Sequence, residues 1–204
     1  MINLLKNDSG PEFIYNKNNA EIYYKNCFFN KVEADDLFEK ILNLTPWNKN
    51  HITLFGKKHA IPRLESWHGD CSYTYSGIKH EAKIWTPELA FVKKRIENFV
   101  NVQFNSVLAN LYRDGSDSNG WHSDNEKELG ENPIIASLSL GANRKFKMRN
   151  NQNGENLDLY LSNGSLLIMA GPTQAYWKHT IPKTRENVSP RINLTYRVVN
   201  NLNT

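Results

Sequence analysis

The chain has only two cysteines in 204 residues, Cys27 and Cys71, and no CxxC spacing. That excludes a disulfide framework and suits a reducing compartment, so a cytoplasmic setting is expected, or a nuclear one in a eukaryote. No apolar run approaches the length of a membrane-crossing helix. Residues Met1 to Asp8 hold no apolar core of signal-peptide length, so a chain without a secretory leader and without a membrane partner is expected. Internal repeats are absent. So is a strong charge of either sign: 25 basic against 21 acidic residues leave +4, too little to identify a polyanion partner. The distribution says more. No acid occurs between Lys40 and Leu64, where Lys40, Lys49, Lys57, Lys58 and Arg63 fall, nor between Glu131 and Glu155, where Arg144, Lys145, Lys147 and Arg149 cluster. Two such stretches point to a phosphate-facing surface.

What is present organises the chain as one domain over residues 20–199, preceded by a polar, Asn-rich arm over 1–19 that reads as loose. A monomer is expected. Glu21 to Phe29 has the β-branched and aromatic character of a strand. Glu33 to Leu44 reads as a helix with Leu37, Phe38, Ile41 and Leu44 on one face, ended by Pro46. Pro87 to Asn101 is a second, with Leu89, Val92, Ile96, Phe99 and Val100 as its stripe. From Phe104 onward short strands follow at near-regular spacing, near 104–112, 134–140, 144–149, 157–161, 165–170, 176–181 and 191–199. That pattern predicts a sandwich or barrel.

Three motifs in this β-rich half carry chemistry. His122 and Asp124 are two residues apart in an extended piece, so both side chains point to one face and can meet one cation. His179 lies in a second extended segment, Trp177 to Pro182. Two histidines and one carboxylate with open positions form the facial triad of non-haem Fe(II) oxygenases. Along Arg191-Ile-Asn193-Leu-Thr195-Tyr-Arg197 the four polar residues share one strand face, and Ile192, Leu194, Tyr196 and Val198 line the other. Two inward arginines suit a dicarboxylate, because guanidinium grips carboxylate bidentately. Six strand residues span roughly 20 Å, so Arg191 and Arg197 serve different groups.

With Asn110-x-Tyr112, His122-x-Asp124-Asn125-Glu126, His179 and Arg191-x-Asn193-x-Thr195-x-Arg197, the chain resembles the AlkB-type Fe(II)/2-oxoglutarate dioxygenases, which dealkylate nucleic acids. Pro62-Arg63, Tyr73-Thr-Tyr75-Ser-Gly77 and Pro133 to Gly141 match as well, and the resemblance runs from about residue 20 to 199. It implies an α+β, mostly β fold: a double-stranded β-helix, jelly-roll-like, over 104–199, buttressed by the two helices of the N-terminal half, with a nucleotide-recognition lid over about 45–85. It implies Fe(II) on His122, Asp124 and His179, with 2-oxoglutarate and O2. The distal carboxylate of 2-oxoglutarate falls to Arg191, with Tyr112 and Asn193, while Asn110 and Arg197 lie toward its other end and Thr195 between. For the base the pattern implies Asn125 and Glu126 and a lid with Tyr73 and Tyr75. Trp67, in the same aromatic-rich segment, and Lys57 and Arg63 of the first basic stretch are further candidates for nucleic-acid contact. Many family members carry an acid where this chain has Asn125. Phe55-Gly56 stands where members that work on duplex DNA carry an aromatic-Gly finger. Phe55 is then either a wedge that replaces an extruded base or a tucked-in core aromatic.

The implied reaction removes methyl groups from 1-methyladenine and 3-methylcytosine in single- or double-stranded DNA, releasing succinate, CO2 and formaldehyde. Two other readings stay open: an RNA demethylase of the same mechanism, and a jelly-roll that binds nucleic acid without turnover.

Overall fold

The computed structural model describes residues 10–54, 57–75 and 78–200, with the side chains of 53, 54, 57, 58, 73–75 and 78–80 outside that description. In chain order it has β1 (Phe13–Lys17), β2 (Ala20–Lys25), α1 (Lys31–Leu44), β3 (His51–Leu54), β4 (Lys57–Ala60), β5 (Leu64–Gly69), β6 (Tyr73–Tyr75) and β7 (Ile78–His80). Then come α2 (Pro87–Val100), β8 (Ser106–Tyr112), β9 (Asn119–His122), a 3-10 turn at Lys127–Leu129, β10 (Ile135–Gly141), β11 (Arg144–Asn150) and β12 (Asn156–Leu161). The last are β13 (Ser165–Ala170), α3 (Thr173–Tyr176), β14 (Trp177–Ile181) and β15 (Arg191–Arg197). No helix among the described residues is long and apolar enough to cross a membrane.

Alternation of side chains along the strands builds three layers. A seven-stranded sheet runs β1-β2-β13-β10-β15-β8-β5 and a four-stranded one β12-β11-β14-β9. Every strand pair is antiparallel. Ile192, Leu194 and Tyr196 of β15, with Val107, Ala109 and Leu111 of β8, pack toward the helices. The opposite faces meet the smaller sheet, where Leu108, Ile135, Leu167 and Met169 pack with Phe146, Met148, Leu161 and Trp177. Two facing antiparallel sheets with a helical layer outside agree with the jelly-roll expectation.

The helices start and stop where local chemistry says they should. Asn30 and Glu33 form a reciprocal capping box, so α1 begins at Lys31, two residues before the sequence expectation. Thr86 caps α2, Pro87 occupies its first turn, and Asn101 closes it in the left-handed region at φ 55°. Ala34, Leu37 and Ile41 of α1 and Leu89, Val92, Ile96 and Val100 of α2 are buried. The Tyr196 hydroxyl donates to the Leu89 carbonyl at 2.9 Å, tying α2 to the sheet strand that carries the polar face.

Three expectations need correction. The arm over 1–19 is not loose where it is described: residues 13–17 are β1, paired residue by residue with β2. Its asparagines carry the hairpin, since Asn18 and Asn19 take φ 51° and 59°, the left-handed pair that a two-residue turn of this hand demands. The strand expected over 21–29 stops at Lys25, because the chain turns there toward the α1 cap. The two helices expected in the N-terminal half are present, and the short α3 in the C-terminal half, which has no apolar period of its own, is an addition to that expectation.

Candidate active site

His122 and His179 are directly opposed across the β9–β14 pair. Their rings meet edge to face with centroids 4.2 Å apart. Asp124 follows β9, and one ligand atom from each of the three residues lies within 4.8 Å of the others. His122 Nδ1 sits 2.8 Å from the Gly120 carbonyl oxygen. A carbonyl only accepts, so the proton is on Nδ1 and Nε2 keeps its lone pair. The backbone N–H of Asp124 donates to the Gln174 side-chain oxygen at 2.9 Å, which is what the short α3 is placed to do.

Asp124 is 1 % exposed, and burial alone would push its carboxyl up. The Arg197 guanidinium, whose Nη2 donates to Asp124 Oδ2 at 2.8 Å, outweighs burial together with the two imidazoles, and holds the carboxyl at about 2. Burial holds His179 down at about 3, helped by His122, and lowers His122 as well. At neutral pH the cluster is therefore one carboxylate and two neutral imidazoles, the donor set a divalent cation needs. Asp124 Oδ1 and His179 Nδ1 are buried with no hydrogen-bond partner, polar atoms whose burial a cation in contact would offset. These residues fit Fe(II).

Beyond the triad the pocket is lined by Asn110, Tyr112, Arg191, Asn193, Thr195 and Arg197. Antiparallel register brings them together: Arg191 faces Tyr112 and Asn193 faces Asn110 across β15–β8. Arg191 is 1 % exposed, donates through Nη2 to Ser139 at 2.9 Å, and lies over the Tyr112 ring at 5.2 Å. Its Nε and Nη1 are buried without a hydrogen-bond partner. Burial and the neighbouring Arg144 lower its pKa to about 10, so it stays a cation at neutral pH. A buried guanidinium with two nitrogens not engaged by the protein fits a carboxylate. Asn193 donates to Ser137 at 2.8 Å and accepts from Thr195 at 2.8 Å, so those two residues hold the wall as a pair.

Arg63 and Trp67 are both buried and lie outside the residues that line the pocket. Trp67 is 2 % exposed in the core between the sheets, its indole N–H donating to the Cys71 carbonyl. Arg63 is 4 % exposed and every side-chain nitrogen is engaged. Nε donates to Asn110 at 2.8 Å, Nη1 to Asn119 at 3.1 Å, and Nη2 pairs with Glu65 at 2.6 Å. It therefore braces Asn110 and Asn119 from behind the pocket. Asn125 is exposed and Glu126 half-buried, immediately past Asp124. Phe55 and Gly56 lie outside the described residues, as do the side chains of Lys57, Tyr73 and Tyr75.

The basic stretch at 144–149 is not one open face either. Arg144 is buried at 3 % and its guanidinium donates to the carbonyls of Asp114, Asp117 and Pro182. It lies over the Tyr112 ring at 5.7 Å. Sequence reasoning missed Asn119, whose amide nitrogen is 3.2 Å from His122 Nε2, and Gln174. It missed Glu65 too, although Arg63-x-Glu65 is a same-face ion-pair spacing that could have been found.

A family model described as the 2OG-Fe(II) oxygenase superfamily matches residues 21–197. The alpha-ketoglutarate-dependent dioxygenase alkB homolog 3 of Bos taurus is 44 % identical over 182 residues, covering 84 % of this chain and 64 % of that protein; the Homo sapiens counterpart is 43 % identical with the same coverage. The chain thus spans 64 % of the length of these relatives. The DNA oxidative demethylase ALKBH2 of Mus musculus is 36 % identical over 184 residues, covering 84 % of this chain and 77 % of that protein. A solved structure, that of OsALKBH1, superposes with TM-score 0.62 at 16 % identity, covering 90 % of this chain and 99 % of its own, a likeness of fold.

Proposed function

The chain belongs to the 2OG-Fe(II) oxygenase superfamily, alongside the AlkB-type proteins it resembles, and from that premise we propose that it demethylates alkylated nucleic acids oxidatively. The substrate reading is 1-methyladenine and 3-methylcytosine in DNA. The observation that supports it is the pocket that joins His122, Asp124 and His179 to a buried arginine with two nitrogens not engaged by the protein.

His122, Asp124 and His179 would hold Fe(II), and Arg191 with Tyr112 would hold the distal carboxylate of 2-oxoglutarate. When bound, the iron, 2-oxoglutarate and O2 supply the oxidation of the N-methyl carbon, with succinate, CO2 and formaldehyde as products.

The chain's own residues prepare that chemistry. Arg197 keeps Asp124 ionised, so metal loading needs no proton release there. Gly120 fixes the His122 tautomer and leaves Nε2 unprotonated, with the Asn119 amide 3.2 Å from it. The walls of the pocket, Leu108, Phe146, Leu161, Met169 and Ile181, exclude water around it. Arg63 holds Asn110 and Asn119 so that neither swings away from the site. At the mouth, Glu126 would accept the exocyclic amino group of a cationic methylated base, with Asn125 beside it. The base must leave its stack to get there, which is cheapest for a lesion that pairs badly.

The test is a substrate panel. Single-stranded DNA, duplex DNA and RNA carrying 1-methyladenine or 3-methylcytosine are incubated with the enzyme, Fe(II), 2-oxoglutarate and ascorbate, and the nucleosides are quantified by mass spectrometry. Conversion in DNA supports the proposal. Conversion in RNA alone moves the substrate to RNA, and conversion in none removes the nucleic-acid reading.

A further inference from the structure

The face of the four-stranded sheet that points away from the pocket is unlike an ordinary solvated face. Side chains alternate across a strand, so residues next to the inward metal ligands point outward. Trp121 precedes His122 on β9, and Lys178 precedes His179 on β14. Trp121 is 47 % exposed, one of few large apolar side chains left in solvent, and it sits on the edge strand of that sheet. Lys178 and Arg149 are both exposed and stand directly opposite each other across β14–β11. Like charges directly opposed in a sheet are destabilising, so folding alone gives no reason for the pair.

The neighbouring cations sharpen the contrast. Lys145, on the same face, forms an ion pair with Asp158 at 2.7 Å and lies over the Tyr160 ring. On the same strand, Lys147 faces Asp158, which is already paired with Lys145, while neither Arg149 nor Lys178 has an acidic partner among the described residues. Adjacent strands are about 4.8 Å apart and alternate residues about 6.7 Å apart. The aromatic ring and the cations Lys147, Arg149 and Lys178 therefore span roughly 10 Å, a few nucleotides at ~3.4 Å of rise each.

We propose that this outer face is a platform for single-stranded nucleic acid: Trp121 stacks a base flanking the modified nucleotide, and Lys147, Arg149 and Lys178 take the phosphates beyond it. An aromatic ring beside a cation row is the pairing that sequence-tolerant single-strand binders use. The platform lies on the two strands that carry His122 and His179, on the face opposite the pocket, and it ends at the edge strand β9. A nucleic-acid strand held there reaches the pocket only around that edge. The proposal rests on the nucleic-acid reading of the site and adds to it the strand form and its path.

The experiment measures binding without catalysis. Fluorescence anisotropy with the full chain reports affinity for an unmodified single-stranded DNA of about 16 nucleotides across a salt series. The variants are Trp121→Ala, the double variant Arg149→Gln with Lys178→Gln, and Lys94→Gln on exposed α2 as a control for net charge. Trp121→Ala is expected to weaken binding about tenfold. The double variant is expected to flatten the slope of log K against log salt by about 1.4, since each phosphate contributes about 0.7 on a single strand. Its thermal midpoint is expected to stay level or rise, because an opposed pair of like charges is gone. Lys94→Gln is expected to change neither affinity nor slope. An unchanged slope in the double variant, or an equal loss in Lys94→Gln, overturns the platform. If the binding results hold while the wild type demethylates no oligonucleotide, the platform stands and the chemical reading fails. If demethylation holds and binding is indifferent to these variants, the reverse is true.

Discussion

Asp124 and Arg197 form a buried ion pair, Oδ2 to Nη2 at 2.8 Å with side chains 1 % and 3 % exposed, at the centre of the candidate metal cluster. One oxygen of this carboxylate neutralises a buried guanidinium, and the other, buried without a hydrogen-bond partner, is open to a cation. The three ligand residues should therefore respond differently to removal. His122→Ala and His179→Ala are expected to abolish Fe(II) binding and turnover while the apo fold keeps its thermal midpoint to within a few degrees. Asp124→Ala is expected to lose turnover and also about 3–5 kcal/mol of stability, because Arg197 is left buried without its partner. Calorimetry of the apo proteins checks this. An Asp124→Ala variant as stable as the wild type would contradict it.

The Arg63–Glu65 pair yields a double-mutant cycle. Arg63→Met strands the Glu65 carboxylate, 1 % exposed, and releases both Asn110 and Asn119. It is expected to cost about 3–5 kcal/mol. Arg63→Met with Glu65→Met replaces both charges by apolar groups and is expected to recover most of that stability. Activity is expected to stay low in both, because neither restores the brace on the two asparagines. Recovery of full activity in the double variant would reduce Arg63 to a packing residue.

Arg191→Ala is expected to raise the 2-oxoglutarate requirement at least tenfold, since a hydrogen bond to a charged group contributes about 1.5–3 kcal/mol. Arg191→Lys keeps a charge but replaces a planar fork by a point donor, so it should recover only part of the affinity. Titration of 2-oxoglutarate into the Fe(II)-loaded protein measures both. An unchanged affinity in Arg191→Ala would exclude it as the anchor.

The readable part of the site was the part written in strand periodicity. Arg191, Asn193, Thr195 and Arg197 share a face because they alternate with Ile192, Leu194 and Tyr196, and the structure puts the two sets in different layers. His122 and Asp124 were legible from their i, i+2 spacing, although β9 ends at His122 and Asp124 lies just past it. The arm, α3 and Gln174 were not, because their order comes from tertiary contacts. Tyr15 reaches Glu155, and Gln174 meets the Asp124 backbone, across sequence separations that no local pattern encodes. The burial of Arg63 was not legible, because a basic residue in a polar stretch reads as exposed until its buried partner is known. For Arg63 that partner was two residues away.

Phe55→Ala separates the two roles left for the residue beside Gly56. A wedge matters only where extrusion leaves a gap in a stack, at a cost of a few kcal/mol. The variant is then expected to lose activity on a methylated duplex and keep it on the same lesion in a single strand. Equal loss on both with a lower thermal midpoint would make Phe55 a core aromatic.

The most direct test of the central claim is coupled product release. Formaldehyde and succinate are measured together from a 1-methyladenine oligonucleotide, with and without an Fe(II) chelator, for the wild type and His179→Ala. The account predicts equal amounts of the two products from the wild type. It predicts neither above background with the chelator, and neither from His179→Ala. Formaldehyde release that survives chelation, or that persists in His179→Ala, would contradict it.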